Sequence, residues 1–223
     1  MTTLFTKNGI RKIVRGEPCY PKRLNDLYDP PSCIYASGNL ELLYQPMIAI
    51  VGSRQASKWG LRNARLFANA LATAGVLVIS GLAKGIDGAA HAETLRTGSQ
   101  TLAVCGTGLD ITYPKEHLDL ARAIAMNGLL VSELRPGIGP QAHHFPLRNR
   151  IIAALALGVV VIEATQKSGS LITARIAADL GRDVFALPGP IDDPLHAGCH
   201  QLIQQGAKLV CSPKDVLDEL NFL

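Results

Sequence analysis

The sequence lacks long hydrophobic runs and any sign of an export signal. Its longest apolar runs, MIAIV at 47–51 and GVVVI at 158–162, are far too short to span a bilayer, and the polar, basic N-terminus contains no apolar segment. The five cysteines are widely separated and form no CxxC pair, which argues against a disulfide framework or a zinc site. We therefore expect a cytoplasmic protein with reduced thiols and no membrane partner.

The motifs of common nucleotide-binding enzymes are missing as well. No GxxxxGK[ST] occurs, which excludes a P-loop NTPase, and GSRQAS at 52–57 lacks the GxGxxG of dinucleotide-binding proteins. Residues 106–111, GTGLDI, contain the first two glycines of that motif but not the third. No serine stands in a GxSxG context. We therefore expect no bound cofactor.

The chain does contain 48% apolar residues, enough for a full hydrophobic core, and a formal net charge of only +4. From Met47 onward, short apolar stretches alternate with amphipathic ones. Strands are predicted near 47–51, 76–80, 101–106, 129–132, 159–163 and 183–187, and helices near 59–74, 86–98, 118–126, 148–157, 170–180 and from Ser212 or Pro213 onward. This alternation is typical of a Rossmann-like, doubly wound α/β fold, a mostly parallel sheet with helices on both faces.

The N-terminal residues, 1–46, differ from the rest of the chain. They include five prolines and show little hydrophobic periodicity. We expect an irregular segment with one short strand at 33–36, packed against the main sheet, followed by the Rossmann-like domain at 47–223.

Glycine-rich turns follow four of the predicted strands. Because the carboxyl ends of parallel strands share one edge of the sheet, these turns should lie together, and their free amides and hydroxyls suit phosphate oxygens. Three of the four turns also carry or adjoin a cation. The candidate phosphate-binding residues are Gly52, Ser53, Arg54, Ser80, Gly81, Lys84, Gly85, Gly106, Gly108, Lys167, Ser168, Gly169 and Ser170.

A second cluster, FPLRNR at 145–150, combines an aromatic residue with two arginines and an asparagine at a predicted helix start. An exposed Phe145 would stack on a nucleic acid base while Arg148 and Arg150 reach phosphates, with Asn149 beside them. The alternative is that Phe145 is a core residue and Asn149 a buried cap. Together with the turns, this cluster favours a nucleic acid strand over a free nucleotide.

Six histidines occur in the chain, and some have spacings compatible with acid–base or metal-binding roles. Asp87 and His91 lie four residues apart, so we expect them to pair on one helix face and to orient the Lys84 turn; a general acid–base couple is the alternative. His143 and His144 are adjacent, and adjacent residues rarely point at one ion. His196, Cys199 and His200 have a spacing compatible with metal, but such residues more often line a loop. We expect no metal site.

Taken together, the motifs strongly resemble the DNA-processing protein A family, the DprA/Smf proteins of bacterial natural transformation. The resemblance extends from about Tyr20 to Leu220 and rests on IAIVGSR (48–54), SGLAKGIDGAAH (80–91), VCGTGLDITYP (104–114), SELRPG (132–137), FPLRNRIIAAL (145–155), SGSLITARIA (168–177) and GRDVFALPGPI (181–191).

This resemblance implies an extended Rossmann fold that binds single-stranded DNA without catalysis. It further implies a homodimer that protects incoming DNA and delivers it to the recombinase RecA. It assigns Arg54 as a phosphate contact and places Phe145, Arg148, Asn149 and Arg150 in the strand-binding pocket. Two positions depart from the family: Lys84 stands where arginine is usual, and Leu147 where a basic residue is common.

An enzyme is the main alternative. The architecture is similar to phosphoribohydrolases that cleave a base from a nucleoside monophosphate and carry a PGGxGTxxE motif. The comparable turn here, SGSLITAR at 168–175, has no acidic residue before Asp179. Only Glu133 and Glu163, at strand ends, could take the place of the catalytic glutamate.

Overall fold

The computed structural model describes residues 9–220, which form one nine-stranded sheet with helices on both faces. The strands are β1 (Arg11–Val14), β2 (Cys33–Gly38), β3 (Met47–Val51), β4 (Leu77–Ser80), β5 (Thr101–Val104), β6 (Leu129–Ser132), β7 (Gly158–Val161), β8 (Asp183–Ala186) and β9 (Lys208–Leu209). The α-helices are α1 (Lys58–Thr73), α2 (Ile86–Arg96), α3 (Leu118–Asn127), α4 (His144–Leu155), α5 (Gly169–Asp179), α6 (Ala197–Gln204) and α7 (Pro213–Glu219).

The strand order is β1-β2-β6-β5-β4-β3-β7-β8-β9. In this spatial order, the seven strands β6-β5-β4-β3-β7-β8-β9 run parallel to one another. The two remaining strands are antiparallel to their neighbours: β2 pairs with β6, and β1 pairs with β2. The chain therefore builds β4, β5 and β6 outward from the central β3, then returns to add β7 on the other side. This arrangement confirms the predicted doubly wound, mostly parallel sheet and places its topological switch point between β3 and β7.

Alternate residues of each central strand pack into different apolar layers. In β3, Met47, Ala49 and Val51 join a core formed with α4 and α5, whereas Ile48 and Ile50 join a second core formed with α1 and α7. Because strand side chains point alternately to the two faces, such a strand must be apolar throughout, and all five β3 residues are buried. This double burial explains the continuous apolar runs of the sequence.

The N-terminal residues 9–46 extend the sheet and share its core. β2 confirms the short strand predicted at 33–36, and buried Ile13, Leu24 and Leu42 lie in the same core as α4. β1 was not predicted, because only one of its four residues, Ile13, is buried and the strand therefore shows no apolar periodicity.

The predicted helices and strands from Met47 onward lie within a few residues of the observed ones. The largest shift is at α4, which begins at His144 and not at Arg148. Pro146 does not prevent this, because the first-turn amides of a helix have no intrahelical acceptor. The eight-residue α6 and the two-residue β9 were not predicted. In the described part of the chain, every helix is too short or too polar to cross a membrane.

His91 is completely buried on α2 and, contrary to the prediction, does not pair with Asp87. Its Nδ1 lies 2.8 Å from the hydroxyl of Thr101, which donates to the carbonyl oxygen of Val78. The ring is thus bound to the neighbouring strand and not to its own helix. Burial, with smaller contributions from the positive charges of His117 and Arg148, lowers the pKa of His91 from 6.5 to about 3.

We expect the free energy of unfolding to fall as the pH drops below 6.5, because the unfolded chain binds a proton that folded His91 excludes until about pH 3. This single group contributes about 1.4 kcal/mol per pH unit in that window. Urea unfolding of the wild type and of His91→Gln at several pH values measures it. The stability advantage of the wild type should shrink toward acid pH, and parallel stability curves would contradict the assignment.

Candidate functional site

The four glycine-rich turns lie side by side at one edge of the sheet. They follow β5, β4, β3 and β7, which are consecutive strands. At the switch point they open onto a cleft of about 780 Å³, whose walls come from the turn after β3, the start of α4 and the start of α5. This is the position at which doubly wound folds bind their ligands.

Most of the predicted site residues line this cleft. They are Gly52, Ser53, Arg54, Asp87, Phe145, Arg148, Asn149, Ser168, Gly169 and Ser170. Gly81 and Lys84 line a small adjoining cavity of about 60 Å³ that shares Arg54, Phe145 and Arg148 with the cleft. The structure therefore brings the FPLRNR segment and three of the turns together, although they are distant in sequence.

Four of the predicted turn residues lie behind the cleft surface and shape it. The Ser80 hydroxyl donates to the Ile50 carbonyl, and Gly108 packs against the backbone of Arg135. Gly85 has a φ of +76°, and a Cβ there would overlap the Ser53 carbonyl oxygen. A Cβ at Gly106 would come within 2.9 Å of the Phe145 ring. The two glycines thus allow the close approach of neighbouring turns and of the aromatic ring.

Arg148 is buried, with an exposure of 6%, and is bound by the protein itself. Its Nη1 donates to the carbonyl oxygens of Gly81 and Val104, and its Nε to the Asn149 side chain at 3.1 Å. The sequence predicts that Arg148 reaches a phosphate, whereas in the structure its guanidinium is bonded to the protein. These bonds tie the ends of β4 and β5 to α4.

Asp87 acts with Arg148 as a support of the turn after β4. Its carboxylate accepts the Gly81 amide at 3.1 Å. Burial raises the pKa of Asp87, and the Arg148 guanidinium and the Gly81 and Ala83 amides oppose that shift. Asp87 therefore contacts the turn that carries Lys84, whereas His91 has no hydrogen bond to it.

Arg54 and Phe145 form the centre of the cleft. The exposed Arg54 guanidinium lies over the half-buried Phe145 ring, 5.2 Å from its centroid. This contact is a cation–π interaction that holds the exposed cation in the cleft. Phe145 is thus neither a full core residue nor freely exposed, which is intermediate between the two alternatives drawn from the sequence.

The start of α5 supplies backbone amides. The Ser168 side chain caps this helix by accepting from the Ser170 amide, and the Asn149 amide group donates to the Gly169 carbonyl at 3.2 Å. Gly169 is exposed, so the positive end of the helix dipole faces the cleft. Lys167, also exposed, lines a neighbouring groove that meets the cleft at Ser168.

Arg150 lies outside the cleft, which corrects its predicted position. Its guanidinium makes two bonds to Glu133, at 2.6 and 2.7 Å, and one to the Asp29 carbonyl. It points away because α4 turns by about 100° per residue, which directs Arg148 and Arg150 to different sides. Arg150 thus fastens the N-terminal segment.

Neither glutamate considered for a hydrolase faces the cleft. Glu133 pairs with Arg150, and Glu163 is fully buried, where it accepts the Ser57 amide at 2.9 Å and the Ser57 hydroxyl at the start of α1. Among residues 9–220, no group of three or more His, Cys, Asp or Glu side chains could hold a metal ion.

Lys84 is held at the edge of the site by an ion pair with Glu116, 2.5 Å long and exposed on both sides. The cleft wall also includes Tyr113 and the segment 140–142, which the sequence did not indicate as site residues. Tyr113 belongs to the VCGTGLDITYP motif. The sequence feature that could have indicated it as a site residue is an aromatic side chain that follows a glycine-rich turn.

Comparison with known proteins identifies a family. The sequence model of the family described as DNA recombination-mediator protein A matches residues 11–221. DNA processing protein DprA of Streptococcus pneumoniae is 50% identical over 92% of this chain and 73% of that protein. Protein Smf of Escherichia coli is 47% identical over 91% of this chain, which spans only 54% of that protein.

A solved structure shares the fold. DNA processing protein A from Helicobacter pylori, studied for its single-stranded DNA binding mode, superposes with a TM-score of 0.88 at 28% identity. The match covers 98% of this chain and 97% of that chain.

We expect Arg148→Met to lower the free energy of unfolding by about 3–5 kcal/mol, because it leaves the Gly81 and Val104 carbonyls without their donor and removes the positive charge that stabilises buried Asp87. Arg54→Met, which removes an exposed cation and its cation–π contact, should change stability by no more than about 1 kcal/mol. Urea unfolding of both variants tests this contrast. Equal, small effects would show that Arg148 is not a structural residue.

Proposed function

Because the chain belongs to the DNA recombination-mediator protein A family, we propose that it binds single-stranded DNA in the cleft at the β3–β7 switch point. The observation that carries this proposal is the combination in one open cleft of an aromatic ring, an exposed arginine and the exposed Gly169 amide at a helix start. Each of the three suits single-strand binding, since bases stack on aromatic rings while cations and helix-start amides bind phosphates. The Helicobacter pylori relative, described by its single-stranded DNA binding mode, supports the same ligand.

The exposed cations are assigned to the phosphates. Arg54 leaves the Phe145 ring, and Lys84 exchanges Glu116 for a phosphate oxygen. The exposed Gly169 amide at the start of α5 binds a further phosphate, and Lys167 extends the contact beyond Ser168. Arg148 contributes positive potential from below while its bonds to the strand ends remain.

We expect single-stranded oligonucleotides to bind about tenfold more tightly than a duplex of the same sequence, because paired bases cannot enter the cleft or stack on its aromatic wall. Fluorescence anisotropy with labelled single and double strands measures the difference. Base sequence should matter little, since no element of the site reads base edges in a groove. Equal affinity for both forms would contradict the proposal.

Binding should weaken as salt rises, because each cation that contacts a phosphate releases counterions. Arg54→Ala should reduce the slope of log K against log salt by about 0.7 and weaken binding at low salt. Arg62→Ala is the matched control, because Arg62 is exposed on α1 and does not line the cleft. If both variants behave alike, the charge of Arg54 acts only through the overall field of the protein.

We further propose that the protein is a non-catalytic, cytoplasmic mediator of natural transformation and recombination. Support for the absence of hydrolase activity comes from Glu133 and Glu163, which are both engaged away from the cleft. Incubation with AMP should accordingly release no free adenine, and turnover that Arg54→Ala abolishes would reverse this conclusion.

The family resemblance supports a homodimer that protects incoming DNA and loads RecA. A homodimer would have twice the chain mass of 23.8 kDa in light scattering. Purified RecA should be retained by the immobilised protein when single-stranded DNA is present. A monomeric mass would contradict the homodimer. Failure to retain RecA would contradict the interaction with RecA.

A further inference from the structure

Tyr113 is an aromatic residue of the cleft that the assignments above leave without a role. Large aromatic side chains are strongly exposed at Tyr28, Tyr44 and Tyr113, and of these only Tyr113, exposed by 43%, lines the cleft. It also borders the small adjoining cavity. Leaving a large ring half in water forgoes hydrophobic stabilisation, so this position suits a ring that is covered by a ligand.

The Phe145 ring, by contrast, is already in contact on several sides. Arg54 lies over it at 5.2 Å, Gly106 packs so closely that a Cβ would be 2.9 Å from the ring, and Tyr113 is tilted against it with 5.2 Å between ring centroids. A base can reach the face under Arg54 only after that guanidinium moves. Tyr113 presents its exposed area without such a rearrangement.

The loop that carries Tyr113 is well anchored. The Thr107 hydroxyl donates to the Ile111 carbonyl at 2.6 Å, and Asp110 accepts the Gly137 amide at 2.9 Å. On the other side of Tyr113, the His117 ring bonds the Leu82 carbonyl at 2.9 Å. These bonds tie the loop to two neighbouring segments, so the tyrosine ring is positioned before the ligand arrives. A pre-positioned ring loses little conformational freedom on binding.

We infer that Tyr113 is the residue on which an unpaired base of the bound strand stacks, with Phe145 as the support that orients the Tyr113 ring. The inference rests on the proposed function, because it names how the same cleft recognises the bases and not only the phosphates. Every base has a π-face, so this contact would accept any of the four bases.

Substitution of Tyr113 should affect bases and leave the sugar–phosphate backbone contact unchanged. Tyr113→Leu is expected to bind oligo(dT) about tenfold more weakly, equivalent to about 1.4 kcal/mol. Its affinity for an abasic oligonucleotide of the same length should stay within about twofold of the wild-type value, because phosphate contacts do not involve the ring. Tyr113→Phe, which keeps the ring, should bind both like the wild type.

Tyr28→Leu is the matched control, because Tyr28 is fully exposed and lies outside the cleft; it should bind both oligonucleotides normally. Photocrosslinking of wild-type protein to 5-bromouracil in the oligonucleotide adds a measurement that needs no variant. The crosslinked peptide should contain Tyr113.

The outcomes separate this inference from the proposed function. Failure of the wild type to bind oligo(dT) would remove both. Normal binding by Tyr113→Leu, equal losses on the normal and abasic strands, or a crosslink at Phe145 alone would overturn the stacking role of Tyr113 and leave single-strand binding in place.

Discussion

The cleft depends on one buried cation, the guanidinium of Arg148. It bonds the carbonyl oxygens of Gly81 and Val104, and Asp87 offsets its charge while holding the Gly81 amide. A buried charge is tolerated only when it is paired and hydrogen-bonded, so helix α4 and the ends of β4 and β5 must keep their relative positions. Because Phe145 lies one helical turn from Arg148, the same bonds position the aromatic wall of the cleft.

The charges of the site divide into those that build it and those left for a ligand. Arg148 and Arg150 are engaged with buried or half-buried partners, whereas Arg54 rests on an aromatic face and Lys84 on an exposed glutamate. Cation–π contacts at exposed sites and surface ion pairs are worth only about 1 kcal/mol or less, so a phosphate can replace them. The net charge of +4 is small, but Arg54 and Lys84 place two exchangeable cations at the cleft and its adjoining cavity.

Much of the fold could be predicted from the order of apolar and amphipathic segments. Strands buried on both faces have to be apolar at every position, and β3 and β7 follow that rule. β1 and β9 could not be predicted, because Ile13 is the only buried residue of β1 and both residues of β9 are exposed. α6 could not be predicted either, because its buried residues, Gly198, Cys199 and Leu202, form no recognisable apolar pattern. For the candidate site, the four turns and FPLRNR were found because glycine and mixed aromatic–cationic segments have local signatures, whereas Tyr113 was missed.

By itself, the sequence determined the doubly wound sheet, the common edge of the glycine-rich turns and the family to which the chain belongs. These follow from local patterns: periodicity, chain direction and motif order. Tertiary structure alone decided which cations are free. Adjacent positions of FPLRNR look alike in the sequence, yet Arg148 turns into the protein and Arg150 toward Glu133. Residues two apart on a helix face different neighbours. Those neighbours are distant along the chain, and they determine whether a cation is already bonded within the protein or is available to a ligand.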